Sequence, residues 1–160
     1  MGLDITAYGS VRRIGDTAEE PGYRTVNLYV DRPERAGELT TGLYDYGGSE
    51  LRFRAGSYSG YNAWRAWLSE TVLGVQPEAV WAEPSRYAGR PFVELIDFSD
   101  CDGTIGPEVS DKLARDFRKH RAKVERSLTE SDESQWNMQK YDEWAAAFAL
   151  AARMGAVQFH

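Results

Sequence analysis

The stretch Arg54-Ala55-Gly56-Ser57-Tyr58-Ser59-Gly60-Tyr61-Asn62-Ala63-Trp64-Arg65 runs from a strand pattern through a short glycine loop into a helix pattern. Apolar residues recur at helical spacing after the loop, which predicts a helix over about 61–73. The later segment Phe98-Ser99-Asp100-Cys101-Asp102-Gly103-Thr104-Ile105-Gly106 has the same shape and also precedes a helix pattern. We therefore interpret the chain as a scaffold that brings two glycine loops together.

Outward from these loops, strand patterns lie early in the chain and long helix patterns lie late. Alternating apolar residues predict strands over 3–7, 25–30 and 156–159, and the continuous apolar run 92–98 predicts a buried central strand. A Gly47-Gly48-Ser49 turn predicts that 42–46 and 50–54 form a β-hairpin. Further helices are predicted over about 107–126 and from about 134 to 154, with loops at 10–22, 31–41 and 75–90.

This order of elements favours an α+β fold. We expect one domain over 1–160, in which a mixed or antiparallel sheet carries three helices packed mainly on one face. A chain of 160 residues is long enough to bury a single sizeable core.

The charge balance and the cysteine content exclude several classes of protein. A net charge of −6 opposes binding of bulk nucleic acid, because phosphates require a basic field. A single cysteine, Cys101, excludes an intrachain disulfide framework and fits a reducing compartment. The N-terminus lacks a signal-peptide pattern and no apolar run is long enough to span a membrane. We expect a cytoplasmic protein.

The first loop has the residue types of a small-anion site, although it matches neither the P-loop nor the dinucleotide-binding glycine pattern. Glycines allow close approach of a ligand, and a helix N-terminus offers free N–H groups to an anion. The alternative is that the aromatic residues are core and the serines are helix caps. The predicted ligand-binding residues of this segment are Arg54, Gly56, Ser57, Tyr58, Ser59, Tyr61 and Arg65.

The second loop contributes Asp100, Asp102 and Thr104 to the same predicted site. Asp100-Cys101-Asp102-Gly103-Thr104 resembles the nucleophile motif of haloacid dehalogenase-type phosphatases, which implies phosphoester hydrolysis with Mg²⁺. That family places a parallel sheet after the motif, whereas the chain after Thr104 reads as two helices and a short strand. The alternative is a turn that Asp and Gly favour for local reasons.

A wider resemblance covers most of the chain. Met1-Gly2-Leu3-Asp4-Ile5-Thr6-Ala7-Tyr8 and the two glycine loops resemble a family of small proteins of tailed phages and prophages that has no established activity. The resemblance implies an accessory role in the cytoplasm of a bacterial host. In that setting, a pocket of two loops suits the sequestration of a nucleotide signal of host defence.

The leading hypothesis is a phage-type accessory protein that binds a small anionic, nucleotide-like ligand without catalysis. In it Arg54 and Arg65 hold charge, Tyr58 and Tyr61 stack on the ligand, and Asp100 and Asp102 bind polar edges. No cofactor or metal is predicted, and a homo-oligomer is allowed. The alternatives are a metal-dependent phosphoesterase using Asp100 and Asp102, and an inhibitor of a host protein with an aromatic surface.

Overall fold

The computed structural model describes all residues from Met1 to His160 and shows a single α+β domain. The strands are β1 (Gly2–Tyr8), β2 (Arg12–Gly15), β3 (Thr25–Leu28), β4 (Gly42–Asp45), β5 (Glu50–Ser57), β6 (Gly103–Ile105) and β7 (Ala156–Phe159). The helices are α1 (Pro33–Ala36), α2 (Tyr58–Leu73), α3 (Pro77–Ala82), α4 (Pro84–Tyr87), α5 (Val93–Ile96), α6 (Pro107–Ser127) and α7 (Asp132–Ala151).

Two antiparallel sheets organise the domain. The larger sheet has the order β5-β1-β7-β6 and the smaller one has the order β2-β4-β3. All pairings within both sheets are antiparallel. The expectation of a mixed or antiparallel sheet is confirmed.

The larger sheet has one apolar face, which the long helices cover. Leu3, Ile5 and Ala7 of β1 alternate toward this face because side chains of a strand point to opposite sides in turn. Helix α7 lies against β1, β5 and β7, while α2 and α6 flank it. The resulting core is rich in aromatic rings and includes Trp64 and Trp144.

The opposite face of the larger sheet is polar, and only half of it is covered. The smaller sheet packs against the Tyr8 end, where Tyr8, Leu28, Tyr44 and Ala156 form a second apolar cluster. Gln158 on this face donates a hydrogen bond to the Asn27 carbonyl, at 2.9 Å. The half of the polar face around Asp4 is left open.

The long helices begin and end close to the predicted residues, because their local signals are strong. Pro107 occupies the first turn of α6, where a missing N–H group costs nothing. Gly74 follows α2 in the left-handed conformation, with φ of 73°. By residue type and position in the sequence, Ser59 or Asn62 suits the cap of α2, but the cap is Ser57, whose side chain accepts from the Gly60 N–H.

The predicted hairpin is wrong. The two runs that flank Gly47-Gly48-Ser49 are strands, but β4 belongs to the smaller sheet and β5 to the larger one. The glycine segment is a crossing between sheets, because β5 pairs along its length with β1 and buries Ala55 beneath the helices. All three predicted loops also contain short elements: β2 in 10–22, α1 in 31–41, and α3 and α4 in 75–90.

The predicted central strand over 92–98 is also wrong, because the run forms the one-turn helix α5. Phe92 has φ of 61° and turns the chain into this helix. Phe92, Leu95 and Ile96 are all fully buried. A short run that is apolar at every position has the same pattern in a buried strand and in a buried helix, which explains the error.

Candidate functional site

The second loop contacts the first turns of α2, whereas the first predicted loop is not a loop, since β5 extends to Ser57 and α2 begins at Tyr58. The Asn62 side chain donates a hydrogen bond to the Asp100 carboxylate, with Nδ2 and Oδ2 2.8 Å apart. Arg65, one turn further along α2, donates in turn to the Asn62 side-chain oxygen. The Arg65–Asn62–Asp100 chain therefore ties α2 to the loop between α5 and β6.

Arg65 is a structural group of this junction. It is 4% exposed and donates to the backbone carbonyls of Ile96 and Phe98, at 3.2 Å and 2.6 Å. Its guanidinium lies between the rings of Tyr61 and Trp81, with centroids 5.1 Å and 5.3 Å away. Stacking and carbonyl acceptors satisfy a buried guanidinium, and so Arg65 is enclosed where the sequence predicted a ligand contact.

Tyr61 is likewise part of the core. Its side chain is fully buried and stacks near Trp64 and Trp144. Burial raises the pKa of Tyr61 to about 12, an effect that Asp100 reinforces and Arg65 opposes. The phenol is therefore protonated at neutral pH. Its hydroxyl and the Arg65 Nε are buried polar atoms without a hydrogen-bond partner.

The N-terminus of α2 holds the exposed part of the predicted site. The Ser57 hydroxyl accepts from the Gly60 N–H at 3.0 Å, which caps the helix. Ser59 and Tyr58 beside it are exposed to solvent. Gly56 has φ of 134° and lies against the Trp136 ring, so that glycine permits both the backbone angle and the close packing.

The second loop is a turn held by the Ser99 side chain. The Ser99 hydroxyl accepts from the N–H groups of Cys101 and Asp102, at 3.2 Å each. Thr104 is buried and donates to the Tyr29 carbonyl, which anchors β6. Asp102 is exposed. The dehalogenase-type motif follows a strand of a parallel sheet, whereas this loop follows α5 and leads into an antiparallel strand.

The aromatic residues of the chain are mostly internal. Trp64, Trp144, Tyr61, Tyr141 and four phenylalanines are among the largest fully buried side chains. The exposed large aromatic residues, Tyr23, Tyr29, Tyr58 and Trp81, are spread over separate elements. Most of the aromatic residues are therefore not available to form an aromatic docking surface.

Arg54 lies apart from the junction, on the open half of the polar sheet face. Its guanidinium is 3.2 Å from both carboxylate oxygens of Asp4, a pairing across β5 and β1. Both side chains are about half exposed. A solvated pair of this kind is weak and leaves the guanidinium accessible.

Next to Arg54 is a concave region of about 330 Å³, the sheet-face hollow. Its floor is the β1–β5 pair, and His160 after β7 closes one side. Thr6 and His160 are joined by a hydrogen bond of 2.9 Å between Oγ1 and Nε2. The hollow is lined by Asp4, Ile5, Thr6, Arg52, Phe53 and His160.

His160 is neutral at physiological pH. Partial burial lowers the pKa of its imidazole, Asp4 raises it and Arg52 lowers it. The side chain still borders solvent in the hollow, so a bound anion would favour its protonated form. Sequence analysis missed Arg52, Thr6 and His160. The available signal was the alternation of Glu50, Arg52 and Arg54 with apolar neighbours, but it does not say which strand lies opposite.

A second concave region of about 510 Å³ lies among α1, α4 and α5. Three of its four charged groups, Arg35, Glu94 and Asp97, already form ion pairs. Arg35 is 3.5 Å from the Asp97 carboxylate, and Lys112 is 2.7 Å from that of Glu94. These ion pairs hold α1 and α6 against α5, a structural role.

The structure contains no group of three or more His, Cys, Asp and Glu side chains placed to hold a metal ion. None of its helices combines the length and the apolar character needed to cross a membrane. No family model, no curated protein and no solved structure matches this chain.

Proposed function

We propose that this protein binds a small anionic, nucleotide-like ligand without catalysis, as a phage-type accessory protein in the host bacterial cytoplasm. The observation that carries the proposal is the sheet-face hollow, where Arg52, Thr6 and His160 converge beside Arg54. The ligand's charged group would lie in this hollow.

The two arginines supply the charge. The Arg52 side chain is 65% exposed and its partner, Glu50, is 3.3 Å away on the same strand. Exposed ion pairs contribute at most about 1 kcal/mol, so an anion can replace Glu50 as the partner of Arg52 at little cost in free energy. A guanidinium binds phosphate or carboxylate through two parallel hydrogen bonds, which a lysine would not provide.

Thr6 and His160 supply uncharged hydrogen-bond donors and acceptors beside the arginines. Thr6 is buried and its bond to His160 holds the imidazole in place, so the exposed ring of His160 is the part of the pair that meets the ligand. Protonation of His160 adds a positive charge next to the anion. Affinity should therefore rise as the pH falls below the ordinary histidine value of 6.5.

The nucleotide-like part of the proposal rests on the resemblance to phage proteins and on the direction of β5. This strand runs from the hollow into the first turn of α2. At about 3.4 Å per residue, Ser57 lies about 10 Å from Arg54 along the strand. An elongated ligand reaching beyond the hollow would meet the hydroxyls of Ser57 and Ser59 and the ring of Tyr58.

Isothermal titration calorimetry tests the proposal with a panel of cyclic dinucleotides, cyclic mononucleotides, ADP-ribose and inorganic phosphate. We expect one of the nucleotides to bind the wild-type protein and the Arg52→Ala/Arg54→Ala double variant to lose at least tenfold in affinity. A tenfold loss corresponds to about 1.4 kcal/mol, within the range of one charge-assisted contact.

Arg86→Ala is the matched control. Arg86 is 67% exposed and pairs with one neighbouring glutamate, as Arg52 does, but it lies on α4 away from the hollow. This variant should bind the ligand as the wild type does. The proposal is overturned if no member of the panel binds the folded protein, or if the control loses as much affinity as the double variant.

A further inference from the structure

Strand β5 is an open edge of the larger sheet. It is the terminal strand in the order β5-β1-β7-β6, and it is eight residues long. Such an edge presents unpaired N–H and C=O groups, which template pairing with a further strand.

The reciprocal bonds between Asp4 and His160 show which backbone groups of β5 point outward. The Asp4 N–H donates to the His160 carbonyl at 2.9 Å, and the His160 N–H donates to the Asp4 carbonyl at 3.0 Å. Asp4 and Thr6 therefore bond to β7, and their neighbours in β1 bond to β5. By the register, the backbone N–H and C=O groups of Leu51 and Phe53 bond inward to β1. Those of Glu50, Arg52 and Arg54 point outward from the edge of the sheet.

One end of this edge is already closed. The Lys140 ammonium on α7 donates to the Arg54 carbonyl at 2.7 Å, which occupies an outward acceptor. Lysine at a strand edge is a common device against further pairing. The free part of the edge is therefore the short stretch from Glu50 to Phe53.

Side-chain charge selects one register for pairing between two copies of this stretch. Two residues whose backbone groups point outward must lie opposite each other, because only they can form hydrogen bonds across the interface. Their side chains then lie on the same face of the joined sheet. Centring the pair on Glu50 or on Arg52 places like charges opposite each other at the two-fold axis. Centring it on Leu51 places Glu50 opposite Arg52 twice.

We propose that the protein forms a symmetric homodimer in which β5 pairs antiparallel with β5 of the partner subunit, centred on Leu51. The outward groups of Glu50 and Arg52 then form four backbone hydrogen bonds across the two-fold axis. Glu50 and Arg52 are already 3.3 Å apart within one chain. The dimer joins both pairs into one cluster of alternating charge.

The opposite face supports the same register. Leu51 and Phe53 are partly buried and pack against the core beneath α7. In the dimer, Leu51 meets its own copy, so the apolar face continues across the axis. The two larger sheets become one sheet of eight strands, and the open polar faces lie side by side.

Native mass spectrometry and light scattering test the dimer, with charge reversal as the probe. At about 100 µM, which populates complexes of micromolar Kd, we expect a wild-type dimer. Arg52→Glu and Glu50→Arg should each give a monomer, because each places like charges opposite. The double variant Glu50→Arg/Arg52→Glu should restore the dimer.

Arg54→Glu is the matched control, because Arg54 faces no charged residue in this register. It should remain dimeric, whereas a register centred on Arg52 would place Arg54 opposite Glu50 and make the variant monomeric. A wild-type monomer at this concentration overturns the proposal, and so does a double variant that stays monomeric while it folds as the wild type does.

A disulfide tests the register directly. Opposed residues without mutual hydrogen bonds have Cα atoms about 4.5 Å apart, a distance that a disulfide bridges. With Cys101→Ser as background, Leu51→Cys should cross-link two subunits when oxidised glutathione is the oxidant. Phe53→Cys faces Ser49 of the partner subunit and should not cross-link. Equal cross-linking of both variants would exclude the register.

Discussion

Two regions of the molecule place arginines in opposite surroundings. Between α2 and α5, Arg65 is enclosed by two rings and two carbonyls and ties α2 to the second loop. On the open face, Arg52 and Arg54 hold single carboxylates in solvent. The difference shows that a residue type predicts chemistry only after its surroundings are known. An enclosed guanidinium stabilises the fold, and an exposed one is free to bind a ligand.

The apolar face should dominate stability, so its central ring gives the largest expected effect. Trp144 is fully buried and contacts the rings of Trp64, Phe148 and Phe159. Trp144→Ala should reduce the free energy of unfolding by about 3–5 kcal/mol, measured by urea denaturation. Tyr23→Ala, at a residue 90% exposed, should change it by no more than about 0.5 kcal/mol. Similar losses of unfolding free energy in Trp144→Ala and Tyr23→Ala would contradict the contrast between the apolar core and the surface.

The same substitution in each region separates the two kinds of arginine. Arg65→Met leaves the Phe98 carbonyl without its side-chain donor, while the Ile96 carbonyl keeps the Trp81 indole N–H, and it should destabilise the protein by about 1–3 kcal/mol. Arg52→Met removes only an exposed pair and should cost about 0.5 kcal/mol or less. Chemical denaturation of both variants provides the test, and equal losses would show that the open face is also structural.

A substitution at Asn62 tests the link between α2 and the second loop. Asn62→Ala removes the group that joins Arg65 to Asp100, and it should cost about 1 kcal/mol. Hydrogen exchange should rise in residues 98–104, because the loop loses its tie to α2. Asn27→Ala, in the smaller sheet, should leave exchange in that segment unchanged. Unaltered exchange in the first variant would show that the bond from Asn62 to Asp100 does not hold the loop.

The smallest expected effect is the pH dependence from His160. Partial burial lowers the pKa of the folded imidazole below the ordinary 6.5, so the unfolded chain binds a proton more readily. This contribution to stability is full above about pH 6.5 and is lost as the pH falls through the folded pKa.

Urea midpoints between about pH 7.5 and about pH 5 measure this dependence. His160→Gln should show a shallower decline than the wild type, because it removes one of the two histidines whose folded pKa is lowered. His120 is the other, and its contribution remains in the variant. Identical slopes would contradict the assigned burial of His160.

Local patterns in the sequence were sufficient to predict the long helices and the first and last strands. Helical spacing, Pro107 and Gly74 are signals within a few residues of one another, and the structure confirms each. The alternative that the aromatic residues of the first segment are core is confirmed for Tyr61 and Trp64, which are buried. The α+β class followed from the order of these elements.

The errors lie where local patterns are ambiguous or partners are distant. The run 92–98 is apolar all round, so its period does not distinguish a strand from the helix α5. The glycines at 47–48 suit a hairpin turn, but pairing of β5 with β1 decides their role. Both outcomes depend on the packing of segments far apart in the chain.

The candidate site shows the same division. The sequence alone determined that glycine-containing segments precede two helices and that arginines alternate with apolar residues in β5. These are properties of neighbouring residues and of strand and helix periods. Only the tertiary structure decided that Arg65 is enclosed and that Arg54 lies opposite Asp4, fifty residues away. The physical reason is that burial and charge pairing depend on which segments meet, and a linear pattern does not encode that for any one residue.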